Sequence, residues 1–419
     1  MSFPNLLIIS QTPAMLSSKE KELLRAKSID NLKPVNPIFK QIVVKIINLT
    51  GKLLFIFKRN KLPKSVKKIL FVSLYFNGDV LFQSPLFDSV KKMFPDAEIH
   101  FWIKNRAKGI MKGYPYAEKL HIYDNIRTRR FDEDVELELN AKFAFFKKLK
   151  AEKYDIVFDL TGLFWTAFAV FYLRPKYSAG FNYQGCDFVY NFSSTAVTEG
   201  HLIDRHLNLI TENNAFTDVR QNLNISKTPV FYIAGDAASK IDELENIYGL
   251  ANTKKRIVLH TSAGWESKKW DLENFVELTK LFPPDICIML IGGSDDVKNN
   301  DYIVKNSNRV VHNFAGKLTF TETAELVRRA DVFVGADSGP LYIAESVGTK
   351  TLSLFGPTNP LFSAPRGKGH TYIYNKLFCS ADDNVQNCKL IAGLNCRTVD
   401  CMKIIKPVDV YNSISVIIK

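Results

Sequence analysis

Thirty consecutive residues, DVFVGADSGPLYIAESVGTKTLSLFGPTNP (331–360), place a strand, a polar turn, a helix and a second strand in immediate succession. Residues 331–335 alternate and end as a buried strand does, 340–347 carry helical spacing, and Gly348 stands where a left-handed residue would close the helix. Asp337, Ser338 and Gly339 therefore fall between the carboxyl end of a strand and the amino end of a helix. In an open parallel sheet that edge binds ligands, and the N–H groups and dipole of the helix favour a phosphate there. The same residues also suit a plain helix cap, so the turn alone leaves both roles open.

At 419 residues the chain exceeds one ordinary domain, and two domains with an appendage are expected. An apolar fraction of 46%, with 31 Phe and 16 Tyr, excludes a chain disordered throughout. The net charge of +13 is uneven: residues 1–65 hold 12 Lys and Arg against 3 Asp and Glu. No basic, aromatic-bearing module accompanies it, so a nucleic-acid partner is not expected. Within residues 38–57, Lys40, Gln41, Lys45, Asn48 and Lys52 interrupt an apolar run at helical intervals, and Lys58, Arg59, Lys61 and Lys64 follow. Residues 38–64 then form an amphipathic helix and basic tail suited to an anionic membrane surface, or a helix packed on the protein's own body. The lysines within the run argue against a spanning segment.

The opening MSFPNLLIIS lacks the basic start and cleavage site of a secretory signal, so a cytoplasmic protein, peripheral on the inner face of the cytoplasmic membrane, is expected. Its six cysteines are then free thiols. Cys379, Cys388, Cys396 and Cys401 are spaced more loosely than common zinc sites, and packed thiols are the simpler reading.

From Lys67 strands and helices alternate. Strands are expected at 67–74, 98–103, 119–123 and 155–160, with helices over 80–94 and 160–173; a second series has strands at 256–261, 286–292, 310–314, 331–335 and 351–356. Thr319 and Glu322 have capping-box spacing. The expected organisation is a basic extension (1–65), an α/β domain (66–222), a linker (223–255), a second α/β domain (256–405) and a final helix (406–419), the two doubly wound domains facing a cleft.

Chemistry concentrates at strand ends. Asp79 follows YFNG after the first strand and offers a carboxylate or a helix cap. Thr261, Ser262, Lys268, Asp295, Asp296, Asp337, Ser338 and Gly339 share one edge of the second domain, where a lysine and a helix terminus would hold a diphosphate and an acidic group a ribose. Neither a Walker loop nor GxGxxG occurs, which disfavours phosphoryl transfer and dinucleotide redox chemistry. Arg127, Arg129 and Arg130 form a basic loop that either meets an acidic acceptor or is simply solvated. DED at 132–134 reads as an acidic helix start rather than a metal motif.

GDV-x3-SP (78–85), K-x-W (268–270), DSGP (337–340) and LFGPTNP (354–360) together resemble the inverting glycosyltransferase family nine, the ADP-heptose:lipopolysaccharide heptosyltransferases. The resemblance runs from about Lys67 to the carboxyl terminus and implies a GT-B fold of two Rossmann-like domains. It implies Asp79 as general base, Lys268 as the donor-phosphate lysine, Asp337, Ser338 and Gly339 as the donor turn, and Asp296 as a nucleotide contact. It further implies a nucleotide-sugar donor, a lipid-linked or lipopolysaccharide-core acceptor, and neither metal nor cofactor. The chain departs from the family at Tyr342, where a His is usual, and at Thr261-Ser262, where a Pro-Gly turn is usual; both bear on the sugar bound. A GT-B nucleotide-sugar epimerase and a catalytically silent membrane-docked binding protein are the competing readings. For the membrane arm, deleting residues 1–65 is expected to abolish co-sedimentation with anionic vesicles; unchanged sedimentation would favour a helix packed on the protein.

Overall fold

The computed structural model describes residues 51, 61–126, 139–183, 186–194, 200–250, 253–389, 396 and 398–419. The expected membrane helix (Gly51 apart), the arginines at 127, 129 and 130, and the acidic triplet 132–134 lie outside these residues. Among the described residues, no helix is long and apolar enough to cross a membrane. The chain divides into two compact units, with the main boundary between Lys227 and Thr228.

The first unit holds β1 (Lys68–Ser73), α1 (Asn77–Met93), β2 (Glu98–Ile103), β3 (Ala117–Ile122), α2 (Leu139–Ala151), β4 (Ile156–Asp159), α3 (Phe164–Leu173), β5 (Tyr177–Phe181), β6 (Phe192–Ser194) and α4 (Leu202–Thr211). Its strands pair in parallel in the order β3-β2-β1-β4-β5-β6. A parallel sheet covered on both faces needs apolar side chains in both directions. Phe71 accordingly stacks between Phe101 and Phe158 at centroid distances of 5.4 and 5.0 Å, while its neighbours Leu70 and Val72 pack with Trp102 and Phe146.

The second unit holds α5 (Ala237–Tyr248), β7 (Lys255–His260), α6 (Leu272–Leu281), β8 (Ile286–Ile291), α7 (Val297–Asn306), β9 (His312–Asn313), α8 (Phe320–Arg328), β10 (Val332–Ala336), α9 (Gly339–Ser346), β11 (Thr351–Phe355), β12 (His370–Tyr374) and α10 (Pro407–Ile417). Its order, β12-β11-β10-β7-β8-β9, is the same winding repeated. α5, within the stretch read as a linker, ion-pairs with this unit through Asp242 and Glu245 to Arg329. α10 buries Val410 and Ile414 in its core. Thr319 and Glu322 make the expected capping box, and Gly348 adopts φ +80° after α9.

Three differences from the sequence reading have identifiable physical causes. β5, β6 and β12 were not anticipated: β5 is YSAGF, poor in β-branched residues, and Gly180 is required where a Cβ would lie 2.7 Å from the Tyr190 ring. The helix expected from Leu160 begins at Phe164, because Asp159 Oδ1 accepts the N–H groups of Thr161 and Gly162, both at 3.0 Å, and holds them in a turn. Gly162 there has φ +64°.

The helix expected from Val80 begins at Asn77 and continues through Pro85. Proline cannot donate to the carbonyl four residues back, which is that of Leu81. Ser84 Oγ supplies the missing hydrogen bond to that carbonyl at 2.6 Å in a buried setting, giving the Ser-Pro pair a structural role. Ser84→Ala is expected to lower stability by about 1–3 kcal/mol, the cost of a buried orphan carbonyl, as read from chemical denaturation. Wild-type stability in that variant would remove the hydroxyl's assigned role.

Candidate active site

In each unit the winding reverses between two neighbouring central strands, β1 and β4 in the first and β7 and β10 in the second. Helices leaving such a pair depart to opposite faces, which leaves a crevice at the strands' carboxyl ends. Asp79 follows β1, Thr261 and Ser262 follow β7, and Asp337 to Gly339 follow β10, so the sequence candidates gather at these two edges.

The edge of the second unit is built around Asp337, which is buried. Lys268 Nζ pairs with Asp337 Oδ2 at 2.6 Å and lies 3.3 Å from its main-chain oxygen. On the other carboxylate oxygen, Tyr342 donates its hydroxyl from one turn along α9, and Ser363 Oγ donates at 3.4 Å. Burial pushes this carboxyl's pKa up, but the Lys268 charge and the hydrogen bonds prevail and hold it below the usual aspartate value. Lys268 is fixed as well as charged: its ammonium lies 4.4 Å from the centre of the Trp265 ring, and two residues on, Trp270 buries its indole and donates to Ile405 O at 3.0 Å. An ammonium has three donors, and two of its directions go to Asp337. The third is the chemical basis for holding an anion.

Ser338 is the residue before α9, yet its side chain makes no cap to the helix. Its Oγ lies 3.1 Å from Ala336 O and 3.3 Å from His260 Nδ1, and His260 Nε2 lies 3.2 Å from Ser262 Oγ. This Ser-His-Ser chain ties the turn after β7 to the turn after β10. Burial lowers the His260 pKa against the opposing pull of Asp296, so the ring is a neutral donor-acceptor link. Because neither Asp337 nor Ser338 caps α9, the plain-cap reading of GADSGP does not hold. The amino end of α9, with Gly339 as its first residue, remains the anion-favouring end of a helix dipole.

Three candidates are placed differently. Thr261 is buried and turned inward, its Oγ1 donating to Asn300 Oδ1 at 2.5 Å. Asp296 accepts the Gly293 N–H at 2.8 Å and caps the short helical turn Ser294–Asp296, so its visible role is local. Tyr342 is fully buried beneath Asp337 and orients that carboxylate. His260, Trp265 and Ser363 were not singled out from sequence. The only available signal was proximity, Trp265 three residues before Lys268 and His260 closing β7.

In the first unit the turns after β1 and β4 are stitched together: Leu74 N–H donates to Thr161 Oγ1 at 3.1 Å and Tyr75 to Thr161 O at 2.8 Å. Below them, Asp159 is buried and takes the Tyr190 hydroxyl at 2.8 Å; burial raises the pKa of both groups. Asp79, half-buried in the first turn of α1, accepts the Phe76 N–H on Oδ2 at 3.0 Å. Asp79 is thus a helix cap in fact, and that bond fixes its carboxylate at the amino end of α1. The Arg106 guanidinium lies 4.0 Å over the Phe76 ring beside it.

Two Rossmann-like units of the same strand order are the architecture of the GT-B fold, the class to which the structural neighbours belong. Among solved structures, a glycosyl transferase family 9 protein from Veillonella parvula superposes with a TM-score of 0.71 at 18% identity, over 85% of this chain and 99% of that one. The ADP-heptose LPS heptosyltransferase II of E. coli gives 0.65 at 16% identity, over 84% and 98%. In sequence, lipopolysaccharide heptosyltransferase 3 of Escherichia coli is 27% identical over 299 residues, 69% of this chain and 84% of that protein. The sequence model of glycosyltransferase family 9 (heptosyltransferase) matches residues 142–390. The chain belongs to that family and is a nucleotide-sugar-dependent glycosyltransferase.

Lys268→Ala removes the fixed cation and is expected to weaken binding of nucleoside diphosphates by about 10- to 100-fold, the worth of a charge-assisted hydrogen bond, measured by calorimetry. Unchanged affinity would place the diphosphate elsewhere.

Proposed function

We propose that the protein transfers heptose from ADP-heptose to a lipopolysaccharide-core acceptor, with inversion at the anomeric carbon and without a metal ion or cofactor in the transfer step. The observation that carries this reading is the Lys268–Asp337 pair at the amino end of α9, a preorganised cationic position at a winding reversal. The family membership and the names of the relatives support the sugar and the acceptor class.

The acceptor hydroxyl gives its proton to the Asp79 carboxylate as its oxygen bonds to the anomeric carbon. The bond from that carbon to the diphosphate oxygen breaks, and ADP leaves with the electron pair. Lys268 and the dipole of α9 stabilise the charge that develops on the leaving group, and they do so without reorganising because Asp337, Tyr342 and Trp265 already hold them. Tyr342 acts through Asp337 and not on the sugar. Residues 38–64 would bring the enzyme to the anionic membrane surface where a lipid-linked acceptor lies, on the cytoplasmic side; Arg127, Arg129 and Arg130 would meet acidic groups of that acceptor.

The test is incubation of the purified full chain with ADP-heptose, other nucleotide-sugars and a lipopolysaccharide-core acceptor, followed by mass spectrometry. Glycosylated acceptor from ADP-heptose alone is expected. Asp79→Ala is expected to reduce turnover by about 10²- to 10⁴-fold with ADP affinity nearly unchanged, the pattern of a lost general base. An equal fall in ADP affinity would show that the carboxylate has another role.

A further inference from the structure

The first unit contains a convergent set of side chains that the transfer reaction does not use. His100 on β2 and His121 on the neighbouring β3 point at each other, with Nδ1 of the first and Nε2 of the second 3.4 Å apart. The Tyr154 hydroxyl, from the turn before β4, lies 3.0 Å from the first nitrogen and 2.9 Å from the second. All three residues are buried. Glu152 brings a carboxylate to the same place: one ligand atom each from His100, His121 and Glu152 lies within 4.8 Å of the others.

We propose that His100 Nδ1, His121 Nε2 and the Glu152 carboxylate, with the Tyr154 hydroxyl oxygen completing the set, form a structural site for a divalent transition-metal ion such as zinc. Nitrogens bound to zinc at about 2.0–2.1 Å in tetrahedral geometry stand about 3.3 Å from each other. The two imidazole nitrogens are already at that separation before any ion arrives. The Tyr154 oxygen lies within 3.0 Å of both nitrogens, and the Glu152 carboxylate comes within 4.8 Å of a ligand atom on each ring. The other nitrogen of His100 lies 3.6 Å from Glu98 Oε2, too far for a hydrogen bond but near enough for that carboxylate to favour a cation at the site.

Burial and the Glu152 charge keep the Tyr154 hydroxyl protonated, so it would complete the set as a neutral oxygen. Burial lowers the pKa of His100 and takes that of His121 down to about 4, so both rings keep their lone pairs. Glu152 is ionised, held down to about 2 by Lys119 and Lys68 against the cost of burial. Those lysines are the charge that an ion would replace. Lys119 is half exposed and can turn to solvent, and Lys68 has a second partner in Glu98 at 3.2 Å. Nitrogen and carboxylate ligands select zinc or cobalt over magnesium or calcium, which prefer oxygen alone. His100 lies in register with Leu70, not with Ser73 at the Asp79 end of β1, so the ion would cross-link β2, β3 and the entry to β4 and not enter the transfer step.

The purified full chain, stripped with chelator, is titrated with Co²⁺ and then Zn²⁺ while visible absorption and melting temperature are recorded. One equivalent of Co²⁺ with four-coordinate d–d bands and no near-ultraviolet sulfur band is expected, together with a rise in melting temperature. His121→Asn and Glu152→Gln are each expected to weaken binding by at least about 10-fold, the loss that even outer-shell changes produce, with unchanged circular dichroism in the metal-free state. Tyr154→Phe, which keeps the ring's packing, is expected to weaken binding less. No uptake, a sulfur-to-cobalt band that survives the histidine substitution and so assigns the ion to the cysteines, or substoichiometric uptake equal in all variants, an adventitious ion only, would each overturn the proposal.

Discussion

A buried carboxylate, Asp337, organises the carboxyl edge of the second sheet. Taking Asp337 out of water is unfavourable unless the charge is paired and its oxygens are bonded, and the fold meets that demand with Lys268, Tyr342 and Ser363. The consequences reach well beyond the pair. Lys268 is drawn onto the turn before α9 and clamped against Trp265, and Ser338, just before α9, is turned away toward His260. An exposed lysine in the same place would be a flexible, strongly hydrated point charge. Clamped, it keeps its ammonium in one place, paired with Asp337 and set against the Trp265 ring.

The two units solve the same structural problem in the same way. Each sheet has the same strand order, and in each the aspartate before the strand across the reversal reaches back to the entry of the first strand: Asp155 accepts the N–H groups of Lys67 and Lys68, and Asp331 that of Arg256. These bonds lock the register at the amino ends of the central strands and leave the carboxyl ends to carry chemistry. At those ends the units differ. The first edge presents a carboxylate on a helix start and a buried Asp159–Tyr190 pair below it; the second presents a cation and a helix dipole. Equivalent edges of the two units thus carry opposite charge, a carboxylate on the first and a cation on the second.

Much of this was legible in the sequence because the determining signals were local. Buried parallel strands are continuous apolar runs, the Thr319–Glu322 spacing made its capping box, and the GADSGP turn fell between β10 and α9 as its residues required. What escaped was decided by distant partners. β5 carries small residues because Tyr190 packs across it, and β6 is only three residues long. Whether a hydroxyl faces a ligand or the interior depends on neighbours far along the chain: Thr261 was expected at the donor and turned to Asn300, and Tyr342 was expected at the sugar and turned to Asp337. His260 drew no attention as a lone histidine ending a strand, yet it joins the turns after β7 and β10. The pairing of His100 with His121 needed the adjacency of β2 and β3, which no spacing in the sequence reveals.

A crystal structure of the full chain with ADP measures most directly where the diphosphate of the proposed donor binds. A β-phosphate oxygen within about 3 Å of Lys268 Nζ and of a main-chain N–H at the start of α9, with the Lys268–Asp337 pair intact, is the predicted result. A diphosphate bound away from that helix start, or Lys268 turned from it toward solvent, would contradict the account.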